Sequence, residues 1–146
     1  MNKYLRLLKK NKKKISSTNI ICIGDIILDH YVYGDINRMS PEAPIPILNI
    51  NKNKYLLGGV ANVANNLTSL GAKVTLISLF SKDEISKKIS DLISKNKNIK
   101  NFPVIDKNYK IPEKIRYINN SSQLLRTDNE IENYRTNKKN EDKLFN

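Results

Sequence analysis

Apolar positions fall into short clusters whose spacing changes along the chain. Residues 19–24 (NIICIG) are a β-branched run closed by glycine, the pattern of a strand buried in a parallel sheet. From Gly58-Gly59, apolar residues recur at Val60, Val63, Ala64, Leu67 and Leu70, which is helical spacing, and Gly71 follows where a helix would end. Residues 74–80 (VTLISLF) form a second buried strand. Ser81-Lys82-Asp83-Glu84 then sets Ser and Glu three apart, a capping box for a helix that buries Ile85, Ile89, Leu92 and Ile93. Residues 99–105 are a third strand, which Pro103 places near an edge. Residues 113–119 and 123–128 can pair as a hairpin across Asn119-Asn120-Ser121-Ser122. Strand, helix, strand, helix, strand is βαβ order and predicts an α/β sheet with parallel strands.

Two stretches break this rhythm. Residues 25–35 read as an irregular extended segment with a turn at Gly34, and Pro41, Pro44 and Pro46 exclude a helix or a central strand across 36–47. Ile45, Ile47 and Ile50 suggest an extended edge segment, so 36–56 is expected to lie off the main sheet. At the N-terminus, residues 3–14 predict a short basic helix with Tyr4, Leu5, Leu7 and Leu8 at helical spacing. The expectation is a surface helix packing its leucine stripe on the domain, rather than a membrane-surface helix or a targeting segment. No apolar core of a signal peptide follows it. Beyond Asp128 the chain turns polar, with anchors at Ile131, Tyr134, Leu144 and Phe145.

The 146 residues suit one domain. One cysteine and one histidine exclude an internal disulfide and a zinc site of the usual Cys/His type, and point to a reducing, cytoplasmic setting. No run approaches the roughly 18 apolar residues of a membrane span, and no membrane partner is expected. The net charge of +12 is uneven: residues 1–14 hold seven basic groups and no acid, leaving 19 basic against 14 acidic groups, or +5, elsewhere. Asn, Lys and Ile account for 62 residues and Ala for only four. All three abundant residues have A/T-rich codons, so base composition explains part of the lysine count. The seven tyrosines are scattered and do not interleave with the basic residues as a nucleic-acid surface would.

Candidate chemistry gathers where the first strand ends. Ligands of open α/β sheets collect at the carboxyl ends of strands. There stand Gly24-Asp25, with Asp29 four residues on. The Gly58-Gly59 turn offers backbone N–H groups at a helix start, with Asn62 on its first turn. Carboxylate, amide and glycine-lined turn together suit a polyol such as a sugar. Equally, the carboxylates read as ordinary loop residues and Gly-Gly as a plain tight turn.

Three longer stretches carry a resemblance: GDIILDHYVYG at 24–34, NRMSPEAPIPIL at 37–48 and LGGVANVANNLTSLGAKVTLISL at 57–79, with QLLRTD at 123–128. They closely resemble the PfkB/ribokinase family of sugar kinases and, within it, the heptose-7-phosphate kinases. Arg38 to Pro44 is the specific part. The resemblance implies the N-terminal portion of a ribokinase-like doubly wound sheet with a small β lid, an incomplete domain. It implies an extension at 1–18, the sugar-side kinase portion at 19–130 with lid segments near 31–56 and 113–127, and a polar tail or the start of a remainder at 131–146. Asp29, Gly58, Gly59 and Asn62 would face the sugar. Lys114, Arg116 and Arg126 would meet its phosphate, or else are solvated strand charges.

The complete family enzyme uses ATP and Mg²⁺ and carries its catalytic aspartate in a later Gly-Ala-Gly-Asp motif. Gly71 is the last glycine here, so the resemblance assigns this chain no catalytic residue and no bound cofactor. Val60 replaces the usual Ala, Ser81 a Gly, and Ile111-Pro112-Glu113 a Thr-rich approach to Lys114. The chain then reads as a truncated or split carbohydrate kinase, inactive alone, that handles a sugar phosphate. A second polypeptide with the C-terminal half would complete it, and a lid-mediated homodimer is a further implied partner. The alternative is a non-catalytic interaction module that keeps the pocket or the lid.

Overall fold

The computed structural model describes residues 3–131 and 134–145. The elements are α1 (Lys3–Ser16), β1 (Asn19–Ile23), β2 (Ile26–Met39), β3 (Pro46–Gly58), α2 (Gly59–Ser69), β4 (Lys73–Phe80), α3 (Glu84–Ser94), β5 (Ile99–Ile105), β6 (Glu113–Asn119), β7 (Ser122–Asn129) and α4 (Lys138–Phe145). They build two sheets. One is parallel, in the order β1-β4-β5; the other has the order β3-β2-β6-β7. The α/β architecture and the separate β lid match the expectation. The lid is rooted deeper, however, because β2 already pairs with β3 from Ile27 and Gly58. Pro41 and Pro44 occupy the β2–β3 connection and Pro46 opens the edge strand β3, where a missing N–H is tolerated. The 113–129 hairpin forms, with Asn120 at φ 52 in its turn.

One face of the parallel sheet carries Cys22, Val74, Leu76 and Ile99 into a core shared with Ala61 and Ala64 of α2, Ile89 and Ile93 of α3, and Ile26 and Leu28 at the lid root. The other face leaves Ile21, Ile23 and Phe102 exposed, so β1 is buried on one side only, against the two-sided burial its apolar run suggests.

Four local expectations are corrected. Gly34 makes no turn: β2 runs through it, with a register shift between Tyr33 and Gly34. The α2 face is rotated, burying Ala61, Ala64 and Thr68 while Val63 and Leu70 stay about half exposed, because the small alanines let the helix approach the sheet. The α3 cap is Asp83, whose carboxylate accepts from Ser86 N–H at 2.8 Å; Ser81 instead donates its hydroxyl to Asp83 at 2.7 Å. Burial alone would raise the Asp83 carboxyl, but these donors outweigh it and hold it below the ordinary carboxylate range. Finally, α1 forms but does not pack its stripe: Tyr4, Leu5 and Leu7 are 72%, 51% and 59% exposed. The side chains of Leu8, Leu144 and Phe145 lie outside the described residues. Tyr134 does anchor the C-terminal segment, packing edge-on to Tyr109 with ring centres 5.0 Å apart and donating to Asp106.

Candidate sugar-phosphate site

The site forms where the lid meets the start of α2. Asp29 lies on β2, beside Leu56 of β3 and Lys114 of β6. Strand alternation puts Asp29, Tyr31, Lys114, Arg116, Arg126 and Asp128 on one face of the lid. Arg116 Nη1 donates to Asp29 Oδ1 at 2.6 Å, and its guanidinium stands 5.1 Å from the Tyr31 ring centre. The bond to Asp29 raises the Arg116 pKa further, which keeps the guanidinium charged.

The two glycines play different roles. Gly58 has ordinary extended dihedrals, φ −111 and ψ 179, but a Cβ there would lie 2.5 Å from Asp29 Oδ2. Its bare α-carbon admits the carboxylate to the mouth of the helix. Gly59 has φ +57, and a Cβ would collide with the Asp25 carbonyl oxygen, which accepts from Val60 N–H at 2.9 Å. Gly59 therefore locks α2 to the end of β1, and Asp25 acts through its backbone while its side chain is exposed.

Asp29 and Asn62 line one cavity of about 540 Å³ with Tyr31, Tyr55, Asn65 and Lys97. Lys114 and Arg126 stand apart from this lining. Lys114 donates to Asp128 at 2.9 Å, and Arg126 Nε meets the other oxygen of Asp128 at 2.9 Å. The bond from Lys114, assisted by Arg126, holds the Asp128 carboxyl below its ordinary range. Of the predicted residues, Asp29 and Asn62 line the cavity, Gly58 and Arg116 meet Asp29 behind it, Gly59 fixes the start of α2, and Lys114 with Arg126 lie on the same lid face around Asp128.

Sequence reasoning missed Tyr31, Asn65 and Asp128. The Asn62–Asn65 spacing on the polar face of α2 was the available signal for Asn65. Nothing local marks Asp128, whose importance comes from strand pairing. The replaced segment 111–113 has its own structural account: Ile111 is buried in the core, the Pro112 carbonyl accepts from Leu28 N–H at 2.9 Å, and Glu113 Oε1 lies 3.1 Å from His30 Nδ1.

No three His, Cys, Asp or Glu side chains among the described residues converge as metal ligands. Asp29 and Asp128 are both committed to basic partners.

The sequence matches the family described as pfkB family carbohydrate kinase over residues 17–146. Among curated proteins, it is 36% identical over 118 residues to the bifunctional protein HldE of Caulobacter vibrioides, covering 81% of this chain and 24% of that protein. It is 39% identical over 112 residues to HldE of Aliarcobacter butzleri, covering 77% and 24%. The D-beta-D-heptose 7-phosphate kinase of Bordetella bronchiseptica is 36% identical over 116 residues, covering 80% and 37%. The chain therefore spans about a quarter to a third of the relatives it matches. Among solved structures, a carbohydrate kinase from Agrobacterium tumefaciens superposes with a TM-score of 0.60 at 16% identity, covering 77% of this chain and 35% of that one. Ribokinase from Giardia lamblia gives 0.58 at 14%, covering 77% and 36%. At these identities the structural likeness speaks to the fold.

Proposed function

We propose that this chain, which belongs to the pfkB family of carbohydrate kinases, supplies the sugar-binding floor and lid of a kinase acting on a heptose 7-phosphate. The observation that carries the reading is the Asp29–Arg116 pair set against Gly58 at the start of α2. Asp29 would accept hydrogen bonds from sugar hydroxyls while Arg116 fixes its orientation. Asn62 can both donate and accept, and the N–H groups opening α2 favour an electron-rich oxygen. Lys114 and Arg126 offer charge for the phosphate already on the sugar, with Asp128 holding them until it arrives.

ATP and Mg²⁺, together with the catalytic aspartate, would come from a C-terminal kinase portion, in the same longer polypeptide or in a second one. The 146 residues alone are then a binding unit without turnover. In this reading a second copy could also meet the outer end of the lid, where Pro46, Leu48, Tyr117, Leu124 and Leu125 line an apolar groove. The alternative is a non-catalytic interaction module that keeps the pocket or the lid.

Calorimetric titration with D-glycero-D-manno-heptose 7-phosphate tests the site. Binding that Asp29→Ala abolishes, and that Arg126→Ala weakens for the 7-phosphate but not for the unphosphorylated sugar, supports the site. A chain that folds but binds neither sugar refutes it.

A further inference from the structure

The helix α1 lies outside the part of the chain that matches the kinase family, which begins at residue 17. The core does not use it either: Tyr4, Leu5 and Leu7 are exposed, and only Ser16, at its end, comes close to Gly71. At about 100° per residue, Tyr4, Leu5 and Leu7 share one side of the helix. Lys3, Arg6, Lys9, Lys10, Lys13 and Lys14 fall in an opposing arc of roughly 140°, and of the seven cations Lys12 alone falls on the apolar side. Lys3, Arg6, Lys9, Lys10 and Lys14 are exposed, and the helix contains no acid. Base composition can inflate the number of lysines and isoleucines in a chain. It cannot segregate cations from leucines by helical angle.

The positive charge continues onto the domain. Thr18 accepts from Lys73 N–H at 3.0 Å, so α1 enters the parallel sheet at the amino ends of its strands. There Lys73 and Lys100 are exposed and line a shallow depression, with Lys97 between it and the candidate cavity. The candidate sugar site lies towards the opposite, carboxyl end of β1, where Asp25 meets α2. One pole of the molecule is basic with an apolar stripe, and the other faces the ligand.

We propose that α1 is an interfacial anchor that lays its leucine stripe into the surface of an anionic phospholipid bilayer, with Lys73 and Lys100 meeting the headgroups. Fourteen residues make a helix of about 21 Å, too short to cross a bilayer and suited to lying in its surface. Tyrosine is favoured at that depth. The cations select anionic lipid, and the leucines distinguish a bilayer from nucleic acid, which would engage the charges and leave the stripe in water. The preference for a packed surface helix over a membrane-surface one rested on a buried leucine stripe, and Leu5 and Leu7 are exposed.

The test is sedimentation of the full chain with vesicles of phosphatidylcholine alone or with 30 mol% phosphatidylglycerol. Binding to the anionic vesicles only is expected. The triple change Lys9→Gln, Lys10→Gln, Lys14→Gln should weaken it about 100-fold, at roughly fivefold per cation near the surface. Leu5→Gln with Leu7→Gln should weaken it at least tenfold while circular dichroism shows the domain still folded. Failure to sediment with anionic vesicles overturns the proposal. So does vesicle binding that the leucine changes leave intact, and so does duplex DNA that displaces the chain from vesicles regardless of the leucines.

Discussion

Replacing Gly58 with alanine tests the site at its tightest point. The backbone there is ordinary for any residue, φ −111 and ψ 179, so no strain arises from the dihedrals. The obstacle is the Asp29 carboxylate, whose Oδ2 would lie 2.5 Å from the new methyl; Ile27 Cβ follows at 3.0 Å. Reaching ordinary contact requires the carboxylate to retreat about 1 Å. Its bond to Arg116, 2.6 Å long, then leaves hydrogen-bonding range. Hydrogen bonds to charged groups contribute about 1.5–3 kcal/mol. These side chains keep 20% and 22% of their exposure, which places the loss near the lower figure, about 1.5 kcal/mol. With an m-value of about 2 kcal/mol/M, the urea midpoint falls by roughly 0.7 M.

The decisive comparison is the same substitution in an Asp29→Ala background. With the carboxylate gone, the Ile27 contacts at 3.0 and 3.1 Å remain, and the shift shrinks by about 0.5 M, a coupling of about 1 kcal/mol. Equal shifts in both backgrounds, followed by far-ultraviolet circular dichroism, would refute the assigned contact. Gly59→Ala is the control: it places a methyl against the Asp25 carbonyl at φ +57, and the variant is expected to fail to fold in either background.

Asp83→Ala removes the α3 cap and should cost about 1 kcal/mol in thermal unfolding, whereas Glu84→Ala stays within about 0.5 kcal/mol; the reverse order would restore the capping-box reading. Asp83, Asp106 and Asp128 all titrate below their ordinary range when folded, Asp106 chiefly because the Tyr134 hydroxyl donates to it. Their stabilisation is complete above about pH 4 and is lost as pH falls through the folded values. A urea midpoint unchanged from pH 7 to pH 3 contradicts this. Burial, with smaller effects from Asp25 and Tyr134, pushes the Tyr109 hydroxyl up to about 12. It favours the neutral form in the folded state, so stability declines from about pH 10 towards 12. Absorbance at the tyrosinate band should show one late step that disappears in Tyr109→Phe.

Periodicity in the sequence located the strands and helices because short-range packing demands it. Gly59 was legible as a turn residue because few residue types tolerate its φ of +57, whereas Gly34 read as a turn and lies within β2. What surrounds an element was less accessible. The α2 stripe from Val60 to Leu70 predicts a buried face of branched side chains, yet Gly59 pins the helix start to Asp25 and the alanines turn inward. The α1 stripe shows that a face exists without showing what covers it. The side-chain bonds that tie β2 to β6 span more than 80 residues, as in Arg116–Asp29 and Glu113–His30. Such pairs depend on strand register, and no local spacing encodes register between strands so far apart.

The bare face of the parallel sheet bears on which reading of the chain is right. Ile21, Ile23 and Phe102 alternate with core residues, giving the continuous apolar runs of a strand buried on both sides. A sheet meant to have one face in water alternates instead, since an isolated domain gains nothing from leaving large apolar side chains wet. α4 meets this side near β5, where Lys143 borders a groove formed by Ile77, Phe102 and Ile105. The pattern suits a second layer over β1 and β4, as expected for a piece of a larger kinase domain. Adding the C-terminal portion of a heptose-7-phosphate kinase in trans should therefore protect the β1 and β4 amides from hydrogen exchange and raise the melting temperature. If those amides exchange at the same rate with and without it, the face serves some other contact, and the interaction-module reading gains.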